Sequence, residues 1–334
     1  MGFETASFSS VGNRGLNPTI SLARTRRVAN PVWNFGGGFQ GTVAGYTSGG
    51  RTENFPTLVR NVIDKFPFAT DAGATDVGDL TRNQEGSAGQ SSNVSGYTSG
   101  GQPTGEFPIG DKTIDKFPFA TNANATNVGD LTVARPSIGG GQSSTVSGYT
   151  CGGDTTPPPT SQSNVIDKFP FASDSNATDV GDLTVARYSV AGQSSDVSGY
   201  TSGGYSKNVI DKFPFASDAN ATDVGDLIGE RNFRSGQSST VSGYVSGGPS
   251  TTNIIEKFPF ATNANATDVG DLFLTRNRAA GQSSTASGYT SGGQYSPSPG
   301  NNATIDKFPF ASDSNATSVG NLSAARYSAI GQQD

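Results

Sequence analysis

The chain has 334 residues, 22 Lys and Arg against 28 Asp and Glu, one Cys and no His. A net charge of -6 without any long basic run argues against a nucleic-acid partner, and no apolar stretch approaches the roughly 18 residues of a membrane helix. The absence of His removes Ser-His-Asp and Cys-His nucleophiles and His-ligated zinc or copper, and the lone Cys151 rules out an intramolecular disulfide.

Residues 1–40 come first and stand apart in composition. Arg14, Arg24, Arg26 and Arg27 face Glu4 alone, a positive excess on an acidic chain that marks a docking arm; a solvated tail is the plainer alternative. Trp33, the only Trp, and the run Gly36-Gly37-Gly38 close this segment. No Lys-Ser/Thr follows the glycines, so they read as a turn rather than a phosphate loop. The start also lacks the apolar core of a signal peptide, and nothing in it directs Sec-type export.

Residues 41–334 read as one domain built from a unit that recurs six times. The core Lys-Phe-Pro-Phe places its first Phe at Phe66, Phe117, Phe169, Phe213, Phe258 and Phe308, a period of roughly 50 residues that belongs to propellers and arrays. Within a unit, Gly-Gln-Ser-Ser leads into a first hairpin, and Val-Ser-Gly-Tyr-Thr-Ser makes a second strand that ends at Gly-Gly, where positive φ suits a turn. The third strand is Asn-Val-Ile-Asp-Lys-Phe, with Val165, Asp167 and Phe169 alternating against Ile166 and Lys168 and Pro170 at its end. A turn at Asp174–Thr178, rich in residues that bond their own backbone, leads to a fourth strand over Asp179–Leu183. No segment carries a helical period with caps.

The chain ends on Ala325 to Gln332, which reads as the opening strand of a further unit. That strand is expected to complete the first unit, joining end to start and removing exposed sheet edges. A β-solenoid is the alternative array. The fold class is therefore all-β, a six-bladed propeller with four-stranded blades, closed by the C-terminal strand.

Arg187, Gly192, Tyr200, Gly203-Gly204, Ile210-Asp211-Lys212-Phe213 and Val224-Gly225-Asp226-Leu227 together resemble the Kelch repeat, one blade of a β-propeller. The resemblance covers roughly Gly45 to Gly331. Where that pattern usually carries Trp, this chain has Val77, Val128, Val180, Val224, Val269 and Val319, which implies that the Phe pair fills the space between blades. More narrowly, the Lys-Phe-Pro-Phe-Ala and Asn-Ala-Thr-Asp-Val-Gly-Asp-Leu wording resembles repeat proteins of marine cyanophage virions, tail-fibre-like or other structural components. That resemblance implies a structural or host-contact role and a place on a virion made in the host cytoplasm.

Carboxylate-pair hydrolysis is formally open, but most Asp residues recur in every unit and are more simply structural, so no enzyme, cofactor or metal is expected. Asp167 and Arg187, with their counterparts, offer pairs between blades, against the plainer reading of solvated or hydrogen-bonded side chains. The Asp174–Asp182 turn holds oxygens enough for calcium without the spacing of a standard loop. The Asn-Ala-Thr signals at Asn124, Asn176, Asn220, Asn265 and Asn315 read as turn residues. Individuality lies in the segments after each Gly-Gly, and recognition needs individuality. The binding candidates are therefore Phe55, Phe107, Tyr205 and Tyr295 on those loops, with Arg14, Arg24, Arg26, Arg27 and Trp33 on the arm. The expected partners are other virion proteins at the arm and a host-surface glycan or protein at the loops, with homo-oligomerisation open. A carbohydrate-binding, lectin-like propeller outside any virion is the alternative.

Overall fold

The computed structural model describes residues 40–334 apart from 53–57, 104–109, 138–139, 156–160, 250–251 and 296–299. The arm candidates Arg14, Arg24, Arg26, Arg27 and Trp33, and the loop candidates Phe55 and Phe107, lie outside the described residues. Among the described residues there is no helix, hence none long and apolar enough to cross a membrane.

Six four-stranded antiparallel sheets form the blades of a propeller. Blade 4 shows the pattern: Ala191–Ser194 innermost, then Ser198–Ser202, Val209–Pro214 and Thr222–Asp226 outermost. Blade 1 takes its three outer strands, Ala44–Ser48, Val62–Pro67 and Thr75–Asp79, from the start of the repeat and its innermost strand, Ile330–Gln333, from the chain end. That strand pairs Gly45 with Gln333 and Ser48 with Ile330, which closes the ring.

The recurring Gly-Gln-Ser explains how the innermost strands meet at the axis. A Cβ built on Gly141 would overlap the Gly89 carbonyl, one on Gly192 that of Gly141, and so on through Gly236, Gly281 and Gly331 back to Gly89. Only glycine permits so close a backbone approach. The next residue bonds forward: Gln90 Nε2 donates to the Tyr149 carbonyl at 2.9 Å, Gln142 to Tyr200 at 2.9 Å, and Gln332 to Tyr97 at 3.1 Å across the closure. The first serine completes a second ring, Ser91 N–H to Ser143 Oγ at 3.0 Å, Ser143 N–H to Ser194 Oγ at 3.1 Å, and onward. In blade 1 Gln333 takes the serine's place, accepting from Ser283 N–H and donating its own N–H to Ser91 Oγ.

Farther from the axis each second-strand tyrosine packs into the next blade's Phe pair. Tyr97 lies 5.5 Å from the Phe169 ring and stacks on Phe171 at 4.8 Å, and Tyr289 repeats this on Phe66 and Phe68 across the closure. The phenylalanines do fill the space left by valine, each contact contributing about 0.5–1.5 kcal/mol beyond its burial. The Asn-Ala-Thr turns add a peripheral tie. Asn176 Oδ1 accepts Asp130 N–H from the preceding blade at 3.0 Å, so these asparagines join blades as well as turning the chain.

The expected alternation along the third strand is only partly met. Phe169 and Asp167 are buried, but so is Ile166, because both faces of a blade are covered by neighbours and a register shift between Val165 and Asp167 interrupts the outer pairing. The fourth strand ends at Asp182, one residue before Leu183, which turns into the core.

Five of the six acidic residues of the third strands are paired with arginine, and the sixth is hydrogen-bonded. Arg187, on the link into blade 4, meets Asp211 at 2.9 Å, and Arg135 meets Asp167; all four side chains are 0% exposed. Asp167 and Arg187 thus belong to two successive pairs, each spanning a link and the following blade. Arg276–Asp306 and Arg326–Asp64 repeat the arrangement. Blade 5 reroutes it: Arg231 holds the equivalent link position, yet Arg234 reaches the longer Glu256 at 2.8 Å. Blade 2 has Gln84 there, and Asp115 is left with the Thr81 N–H at 2.9 Å and the Thr81 hydroxyl, donors that Asp167 and Asp211 receive from Thr132 and Thr184 in addition to an arginine.

Two outcomes follow from closure and from the odd blade. Deleting residues 327–334 removes the strand that bonds blades 1, 2 and 6 together, and should cost about 4 kcal/mol or more. Val94→Ala, at an exposed turn, should stay within about 0.5 kcal/mol; comparable thermal midpoints for the two would contradict this account of closure. Burial raises the Asp115 carboxyl, opposed by the Thr81 hydrogen bonds and by Arg82. A carboxyl raised on folding binds more protons folded than unfolded, so its contribution falls as pH rises through that window. Gln84→Arg supplies the cation that the other blades have and should gain about 1–2 kcal/mol at neutral pH. The gain should shrink as Asp115 protonates in acid; urea melts at both pH values check the sign.

Candidate functional site

The two faces of the ring differ in kind. One carries the serine turns and the Asn-Ala-Thr turns and is near-uniform: Ser92, Ser144, Ser195, Ser239 and Ser284 each accept the N–H three residues on or bond its carbonyl. Lysines there pair with the next blade's turn, as Lys168 does with Asp218 at 2.9 Å. At the position equivalent to Asp218 the blades after Lys65 and Lys212 carry Asn122 and Asn263, and these two lysines lie over the Tyr46 and Tyr200 rings, as Lys168 and Lys257 also do over Tyr149 and Tyr244. The oxygens of the Asp174–Asp182 turn are engaged in the same way: Asp174 accepts Lys116 Nζ, Asn176 the Asp130 N–H and Asp179 the Gly181 N–H.

The other face carries the loops after Gly-Gly and the links between blades. Two residues past the arginine position, every link adopts left-handed backbone: Gly86 at φ 64°, Ser137, Ser189 and Phe233 at 55°, Arg278 at 54° and Ser328 at 52°. Five of the six are not glycine, and for a residue as bulky as Phe233 such a φ is a marked departure. Hydrogen bonds from link to link hold the ring: Arg278 N–H to the Phe233 carbonyl at 2.9 Å, Ser328 to Arg278 at 2.8 Å, Gly86 to Ser328 at 3.0 Å and Ser189 to Ser137 at 2.9 Å. The six backbones are alike and the six side chains are not.

These side chains line a cavity of about 390 Å³ at the axis, floored by the innermost glycines. One side is small and hydroxylated, with Gly86, Ser137 and Ser189. The other is aromatic and charged. The Arg278 guanidinium lies 4.2 Å from the Phe233 ring centre and 5.7 Å from that of Tyr327. Arg51 pairs with Glu85 at 3.2 Å. Burial raises the Glu85 carboxyl, and Arg51 and then Arg278 pull it back down. Arg234 also borders the cavity but is neutralised by Glu256 from behind; burial lowers its pKa to about 10.

Of the loop candidates, Tyr205 is 46% exposed and stacks on Tyr188 with ring centres 5.0 Å apart and planes 13° from parallel. Tyr295 lies in a two-stranded extension, Gln294–Tyr295 against Arg276–Asn277. Neither lines the axial cavity. The residues that do, chiefly Phe233, Arg278, Tyr327, Arg51 and Glu85, were missed because the links look like simple connectors. Reading the six links column by column, at a fixed offset from the preceding Leu, exposes one position that changes from Gly to Ser to Phe to Arg. Cys151 is buried, donates to Gln142 Oε1 at 3.1 Å and has its thiol pushed up to about 12 by burial; it stands where other blades carry Ser.

If the left-handed ring is strained, glycine at a serine link should relieve the strain in the unliganded protein, whatever it does to binding. Ser189→Gly and Ser328→Gly should each raise the thermal midpoint by the equivalent of about 0.5–1 kcal/mol, and a loss of stability at both would refute the strain.

No protein-family model and no curated protein matches the chain, so what this face binds has to be argued from its own side chains.

Proposed function

We propose that the chain is a non-enzymatic recognition and assembly protein, a Kelch-type ring whose individual face contacts a ligand on a host surface while its basic arm docks onto other proteins of a phage particle. The observation that carries this reading is the asymmetry of the ring: six near-identical backbones present one repetitive face and one face on which the axial link position carries Gly, Ser, Phe or Arg. Scaffolds that hold variable side chains on a rigid frame are suited to binding. The third-strand carboxylates support the non-enzymatic part, because all six are buried, five with arginines and Asp115 on Thr81, rather than open to a substrate. The virion context rests on the motif wording, and Arg and Trp on the arm are frequent interface anchors.

A carbohydrate-binding propeller outside any particle is the second reading, favoured by the Tyr188–Tyr205 stack, whose open face suits the apolar side of a sugar ring. Mass spectrometry of purified particles separates the two. The first reading expects the chain in the particle, and expects a variant lacking residues 1–30 to fold with an unchanged melting temperature yet fail to incorporate. Absence from particles, with glycan-array binding retained, would leave the second reading alone; release of products from arrayed glycans would overturn both.

A further inference from the structure

We infer that the axial cavity is a binding site for a saccharide residue carrying a carboxylate, with Arg278 as the group that holds the charge. The inference rests on the proposal that this face recognises a ligand and names the ligand's chemistry.

Charge bookkeeping around the cavity leads there. Among the described residues three guanidiniums border it, from Arg51, Arg234 and Arg278. Arg51 is matched by Glu85 at 3.2 Å and Arg234 by Glu256 at 2.8 Å. Arg278 has no carboxylate within ion-pair distance among the described residues, although the protein as a whole is acidic. Its influence reaches Glu85 through space alone. An unmatched guanidinium at the mouth of a partly enclosed cavity favours an anion, and its planar donors fit a carboxylate with two parallel hydrogen bonds. Phe233 and Tyr327 lie against the guanidinium, which fixes its direction and lowers the ordering cost of binding.

The rest of the wall selects a sugar over a peptide carboxylate. Opposite Arg278 stand the hydroxyl side chains Ser137 and Ser189 and the bare backbone at Gly86, with Ser328 beside it. Hydroxyls that both donate and accept match the hydroxyls of a pyranose. A volume of about 390 Å³ is at the small end of ligand sites; it suits one or two sugar rings and is tight for an extended peptide. Link-to-link hydrogen bonds at four of the six junctions, those on both sides of Arg278 included, brace the wall before anything binds, which lowers the cost of ordering it around the ligand.

Titration calorimetry of the full chain tests this with three probes: methyl glucuronide, its methyl ester and methyl glucoside. The glucuronide should bind, and the ester and glucoside at least tenfold more weakly. Arg278→Gln should weaken glucuronide binding by at least tenfold without moving the melting temperature, Arg278→Lys should restore part of it, and Lys212→Gln on the opposite face should change nothing. Equal binding of acid and ester, or glucuronide binding unaffected by Arg278→Gln, would overturn the assignment. So would an Asp-rich peptide that binds through Arg278 while the glucuronide does not, which would turn the site into a peptide site. If particles or cells still bind the intact protein when none of the three sugars does, this inference fails and the recognition role stands; if neither binds, the recognition role fails with it.

Discussion

The structure depends on one constraint: no blade satisfies its own side chains. The glutamine of each innermost strand bonds the tyrosine carbonyl of the next blade, the tyrosine ring packs on the next blade's phenylalanines, and the outermost strand gives its N–H to the next blade's asparagine. A single unit would leave its aromatic surface facing water and its amides bonded to water, so that neither the apolar burial nor the inter-blade hydrogen bonds would stabilise it. A linear row would leave the same debt at its ends. Closing the row removes it, and the chain achieves closure by setting Ile330–Gln333 beside Ala44–Ser48. The glycines at the axis then follow from geometry, since six strands brought that close leave no room for a Cβ.

The buried ion pairs are a second consequence of stacking. A link that leaves one blade must cross the end of the next, and the arginine it carries covers that blade's third strand. With water excluded, a carboxylate there has to be matched or neutralised. The blades solve this in three ways: Arg with Asp in four of them, a relocated Arg with the longer Glu in blade 5, and hydroxyl and backbone donors from Thr81 in blade 2. Retreat of the donor by three residues together with an acid one carbon longer is the kind of paired change expected when what must be conserved is the contact and not the residue.

Much of this was legible in the sequence. Repeat number and strand order could be read because each is stated six times, so that a chance match in one unit is tested by five others; closure was read from the one surplus strand at Ala325 to Gln332, and the role of the Phe pair from valine standing where the resembled repeat carries Trp. The pairing of Asp167 and Arg187 with different partners was not legible, since periodicity says that two residues recur but not whether they meet within a unit or across a link. The alternation assigned to Val165, Asp167 and Phe169 failed for a related reason: period-two burial presumes one wet face, and a blade between two neighbours has none. The axial cavity was obscured by the repetition itself. Its lining comes from one residue per link, spaced far apart in the chain, and such residues become neighbours only after the ring closes.

The same repetition bears on where recognition can evolve in such a ring. Most positions are tied to the next blade, so a change there must be answered by its partner. The link position at Gly86, Ser137, Ser189, Phe233, Arg278 and Ser328 is different: its backbone carries the inter-link hydrogen bonds, and its side chain is left to face the axis. Glycine would be the easiest residue to place there, yet five links hold something else. Left-handed backbone costs a side chain about 1–2 kcal/mol, and strain retained at a cavity wall is a pointer to use rather than to stability. The five share nearly the same φ, but Phe233 and Arg278 carry the largest side chains at this position, are adjacent around the ring and touch each other; the bulk that this backbone has to carry is concentrated on one wall of the cavity.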